Sequence, residues 1–111
     1  MAGSLPGLRE LAEYIYRTTP SGGVFNPILI EILAPPHSGV YTIRNDHFVL
    51  WVGRSDDIRR RLLEHARDPY IMSHNPTRYT FEWCPEWMCG TREVQVFDEL
   101  RPLLNRERPL G

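Results

Sequence analysis

The chain contains no lysine, only two cysteines, and no apolar run approaching the roughly 20 residues of a membrane-spanning helix. The missing apolar run excludes a membrane-spanning helical protein. The first residues, Met1-Ala2-Gly3-Ser4, lack the basic and apolar regions of a secretion signal, so a cytoplasmic protein is expected. In that setting Cys84 and Cys89 are expected as free thiols rather than a disulfide. His65 and His74 are available, but nothing has zinc-finger spacing. The missing lysine carries little functional weight, because a GC-rich coding bias toward arginine accounts for it. The net charge of −1 excludes a uniformly basic protein that holds any nucleic acid tightly.

What is present is charge gathered in one place. Arg54, Arg59, Arg60, Arg61 and Arg67 lie within fourteen residues, with His65 among them. The guanidinium fork matches phosphate oxygens. At 111 residues and 41% hydrophobic content the chain is one globular domain with a modest core.

Along the chain, Leu8, Leu11, Ala12 and Ile15 recur at helical spacing and predict a short amphipathic helix over residues 5–17. Thr18 to Gly23 reads as a loop, and residues 25–33 read as extended after Pro27. Residues 1–37 are therefore expected to be an N-terminal extension packed on a domain of residues 38–111.

From Gly39 a hairpin is expected. GVYTIR and HFVLWVG alternate as two strands around Asn45-Asp46. Ser55 is the expected cap of a helix whose buried stripe is Ile58, Leu62 and Ala66, flanked by Arg61 and His65 four residues apart. Asp68-Pro69 ends that helix, and RYTFEW, residues 78–83, is the third strand. A last helix is expected from Thr91, with Val94, Phe97 and Leu100 on its apolar face and Pro102 closing it. Leu103 and Leu104 are expected to tuck onto the core. The fold class is α/β of the α+β type: a small three-stranded antiparallel sheet flanked by helices.

Taken in order, Gly39-Val40-Tyr41, Trp51-Val52-Gly53, Arg54, Arg61, His65, Glu93, Pro102 and Asn105 form a pattern. Each residue alone has an ordinary structural reading, and only their joint order is informative. The pattern resembles the GIY-YIG nuclease family, including the N-terminal nuclease domain of the bacterial excision-repair incision subunit. The resemblance covers residues 38–105. It implies an endonuclease that hydrolyses DNA phosphodiester bonds with a single divalent ion, Mg²⁺ or Mn²⁺. It gives Glu93 the role of metal ligand. Tyr41 would activate or orient the attacking water, and Arg61 would stabilise the transition-state charge. His65 would bind phosphate or share proton transfer. Arg54, Gly53, Trp51 and Asn105 would lie against the substrate, with Gly53 allowing close backbone approach and Asn105 anchoring the C-terminal segment. Trp51 stands where the family usually has tyrosine, and indole is a donor only.

The implied partner is DNA, branched or nicked, recognised by shape, with a protein partner or homodimerisation as a further route to specificity. A weak or inactive nucleic-acid-binding module, or a protein-interaction adaptor, is the alternative from another functional class.

Overall fold

The structure, a computed structural model, describes residues 22–109. The helix expected over residues 5–17 lies outside that range. Four strands form one antiparallel sheet: β1 (Gly22–Val24), β2 (Gly39–Arg44), β3 (Val49–Ser55) and β4 (Arg78–Trp83). Their spatial order is β1-β4-β2-β3. Among the described residues four helices accompany them: α1 (Pro27–Leu33), α2 (Ile58–His65), α3 (Pro69–Met72) and α4 (Glu86–Leu100). None of the described helices is long and apolar enough to cross a membrane.

The hairpin β2–β3 forms as its alternation predicts. The Asn45 side-chain oxygen accepts from the amides of His47 and Phe48 and closes the turn. Ile43 pairs with Trp51, yet Arg44 pairs with Val49, so Leu50 is the extra residue of a β-bulge. Central β2 is buried on both faces from Gly39 to Ile43. Tyr41 and Ile43 join a core with Leu50, Ile30, Ile58, Leu62, Ile71, Tyr79 and Phe81. Val40 on the other face packs with Val52, Cys84, Cys89 and Val96 beneath α4. Cys84 and Cys89 are free thiols, with their sulfurs 2.7 Å apart. Burial pushes the Cys84 thiol up to about 12.

Five local expectations need correction. The sheet has a fourth strand, because Gly22 and Gly23 pair with Thr80 and Tyr79 rather than lying in a loop. Residues 27–33 are helical, not extended. Asn26 caps them by accepting from the Ile28 and Leu29 amides, and Pro27 sits at the first helical position, where its missing N–H costs nothing. Asp57, not Ser55, caps α2, accepting from the Arg60 amide; the Ser55 hydroxyl accepts from the Asp57 amide one step earlier. The last helix starts at Glu86 rather than Thr91, and its fully buried side is Cys89, Gly90 and Val96, with Val94 only half-buried. Leu104 is buried, but Leu103 is 55% exposed.

The C-terminal segment runs beside the outer edge of β3. The amides of Leu103 and Leu104 donate to the carbonyls of Val49 and Leu50. The Asn105 side chain then continues the pattern, donating to the Val52 carbonyl at 2.8 Å and accepting from the Val52 amide at 3.0 Å.

Candidate active site

The site is organised by one phenol. Tyr41 lies on β2 directly opposite Gly53 on β3, and its side chain is buried. A Cβ on Gly53 would overlap the Tyr41 hydroxyl, so glycine there makes room for the phenol to lie across the edge strand. The family resemblance implies room for a ligand at this glycine; the structure shows the space taken by Tyr41.

Ile58 and Leu62, both fully buried, seat α2 under the same face of the sheet. That brings His65, 24 residues away in sequence, to Tyr41: the imidazole Nε2 lies 2.7 Å from the phenol oxygen. The Trp51 and His65 rings are 5.2 Å apart and tilted. The positive charge of Arg61, one turn earlier on α2, and the Trp51 side chain both act on the same phenol to favour its ionised form. Which of the two donates in the Tyr41–His65 bond is set by the imidazole tautomer.

The electrostatics follow from burial. Burial pushes the Tyr41 hydroxyl up to about 12, and the Arg61 charge with the Arg61 and Trp51 hydrogen bonds opposes it. Burial first, and then the Arg61 charge, push His65 down to about 4, against a smaller pull from Asp68. At neutral pH this imidazole is uncharged.

A second group approaches from the opposite face of the sheet. Glu93 on α4 has a side chain only 13% exposed, with one carboxylate oxygen 3.5 Å from the Nε of Arg54. Burial raises its pKa above the usual carboxylate range, and Arg54 opposes the rise. The charge on Glu93 is felt at Tyr41, where it favours the protonated phenol. The two groups thus meet at Gly53 and Arg54 on edge strand β3. Arg61 lies 3.6 Å from Glu64, a solvent-screened pair of little strength.

All eight residues singled out in the sequence fall around this point. Tyr41, Trp51, Gly53, Arg61 and His65 share one face, Arg54 and Glu93 the other, and Asn105 grips Val52 alongside. The amide of Asn105 is committed to the backbone of Val52. Nothing in the sequence pattern marks the Tyr41–His65 bond, since no spacing rule links a strand residue to a helix residue 24 positions on.

A hard divalent ion needs only one or two protein carboxylates and keeps several waters. Glu93 fits that requirement: it is partly desolvated and held by a single arginine. Among the described residues no three His, Cys, Asp or Glu side chains come together as a metal cluster. A site built here would therefore be of the one-carboxylate kind.

No protein-family profile matches the chain, and no curated protein matches it. Solved structures do. The chain is similar to the GIY-YIG N-terminal endonuclease domain of UvrC from Thermotoga maritima, in a tyrosine-to-phenylalanine point mutant bound to its catalytic divalent cation. The TM-score is 0.59 at 19% identity, covering 70% of this chain and 96% of that one. The magnesium-bound form of the same domain gives a TM-score of 0.57 at 19% identity, covering 68% and 89%. At such low identity the likeness speaks to architecture, and the architecture of this chain is a GIY-YIG-like fold.

Proposed function

We propose that this protein is a metal-dependent endonuclease that hydrolyses DNA phosphodiester bonds through one divalent ion, Mg²⁺ or Mn²⁺, held by Glu93. The observation that carries this reading is the Tyr41–His65 hydrogen bond, within the electrostatic reach of both Arg61 and Glu93. When bound, the ion would neutralise charge on the phosphoryl oxygens.

The residues of the chain supply the rest. Tyr41 takes a proton from the attacking water as it passes its own to Nε2 of His65, the water oxygen bonds to phosphorus as the P–O bond to the leaving strand breaks, and the departing oxygen takes up a proton from solvent. A phenol as weakly acidic as Tyr41 is not a standing phenolate at neutral pH, so it can take the water's proton only as it gives up its own, and the His65 Nε2 at 2.7 Å is the group within reach. Arg61 faces the charge that develops on the phosphoryl group. Arg54, 48% exposed, holds a neighbouring phosphate. Trp51 packs its ring against His65 and helps hold the Tyr41–His65 pair in place.

The test is cleavage of supercoiled plasmid and of branched and nicked oligonucleotides with Mg²⁺ or Mn²⁺, with Glu93→Ala beside the wild type. Cutting by the wild type alone, with the variant still folded by circular dichroism, is the expected result. Equal cutting by both would remove Glu93 as metal ligand. No cutting by either, on any substrate with either ion, would replace the enzyme with a binding module.

A further inference from the structure

A cleft of about 750 Å³ opens at the other end of the sheet, between the β2–β3 turn, the start of β4 and the C-terminus of α4. Arg44, Arg78 and Arg101 all line it, together with Thr80, Phe48 and one acid, Asp46. Asp46 is engaged by the Thr77 hydroxyl at 3.2 Å. Among the described residues none of the three arginines forms an ion pair, whereas Arg60, Arg92 and Arg108 each do.

The way the backbone presents these arginines is unusual in three respects. Arg44 and Arg78 are direct cross-strand partners, and like charges in that position repel. Arg44 follows the β-bulge opposite Leu50, a device that re-aims a side chain. Arg101 ends α4 in the left-handed region, at φ 49°, where glycine is the usual occupant and other residues are strained. The C-terminal carbonyls of α4 attract Arg101, which explains one cation there. They do not explain three from three elements converging on one cavity.

From this we infer that the cleft is a second nucleic-acid subsite. It binds phosphate groups of a strand through Arg44, Arg78 and Arg101, with the exposed ring of Phe48 as a stacking surface for an unpaired base. Phe48 is 56% exposed on the cleft wall, and an arginine-lined groove with an open aromatic is the chemistry that holds single strands. The assignment of nucleic acid as the source of the phosphates rests on the nuclease reading above. It narrows the substrate to DNA with a single-stranded stretch near the cut.

The test reads binding, not cleavage, so it survives failure of the nuclease reading. The full chain is titrated against fluorescent single-stranded and duplex oligonucleotides without divalent ion, over a range of salt. Each arginine–phosphate pair removed lowers the slope of log affinity on log salt by about 0.7 for single strands. Replacing Arg44, Arg78 and Arg101 together by glutamine should therefore lower the slope by about 2. The matched triple replacement of Arg60, Arg92 and Arg108, each tied to a carboxylate, should lower it far less. Lysine at the three cleft positions should restore the slope, which separates lost charge from lost folding. Phe48→Ala should weaken single-strand binding about tenfold and leave the slope unchanged. Equal slope changes for the two triple variants would overturn the assignment. So would saturable stabilisation by inorganic phosphate that the cleft variant loses while its DNA slope is intact, since that marks a site for free phosphate. A wild type that shows the cleft-dependent slope but never cuts DNA would sink the proposed function and leave the subsite standing.

Discussion

Replacing His65 by glutamine should make the protein markedly less sensitive to acid. In the folded chain burial and Arg61 hold the imidazole near 4, against an ordinary value of 6.5. Below 6.5 the unfolded chain takes up a proton that the folded chain refuses, so the native state loses ground as pH falls and the loss levels off once the folded imidazole also titrates. Between about pH 7.5 and pH 4.5 this single group should remove about 2.5 kcal/mol of folding stability, because each tenfold difference in proton affinity between the two states is worth about 1.36 kcal/mol. Glutamine cannot titrate, yet its amide oxygen can still accept from the Tyr41 hydroxyl, so packing and the hydrogen bond are broadly kept. The assay is urea unfolding of both proteins at the two pH values. Carboxylates are common to both chains, so their titration cancels in the comparison. The wild type should lose about 2.5 kcal/mol more than the variant. Parallel losses, or an NMR titration midpoint for His65 close to the ordinary 6.5, would refute the claim that burial holds this imidazole neutral.

Asn105→Ala should cost about 1–3 kcal/mol in urea unfolding, because both main-chain groups of Val52 lose their partner at once; a change below about 0.5 kcal/mol would mean that water replaces the side chain. Trp51→Tyr should leave DNA cleavage unchanged or raise it, since a tyrosine ring can also pack against His65; a large loss of rate with the fold intact would give the indole a role beyond holding the Tyr41–His65 pair in place.

Much of this architecture can be read from local pattern, and the exceptions share a cause. The β2–β3 hairpin, α2 and β4 announce themselves through alternation, helical spacing and turn residues confined to a few positions. The short β1 does not, because two glycines have no strand preference and become a strand only by pairing with β4. Helix α1 hides behind an isoleucine-rich run; its decisive signal is Asn26 followed by Pro27, a capping pair rather than a strand break. The first turn of α4 follows Pro85 without a side-chain cap, so nothing polar marks its start. At the site, the residue types are legible from family order, while their coupling is not. Neutral His65 and the raised Tyr41 depend on burial, which no spacing encodes. The three cleft arginines come from three elements with no common motif.

The outermost strands of a sheet are its exposed seams, where unpaired amides and carbonyls invite a neighbouring chain to add itself and begin a filament. On one side that seam is only three residues long, at β1. On the other, residues 103–105 run along β3 as far as Val52, with the last of them using a side-chain amide in imitation of a peptide group. Only Gly53 to Ser55 lies beyond, a stretch too brief to template a growing fibre. The tail thus leaves Gly53 to Ser55 of the edge strand open while closing the rest of it to copies of the same chain.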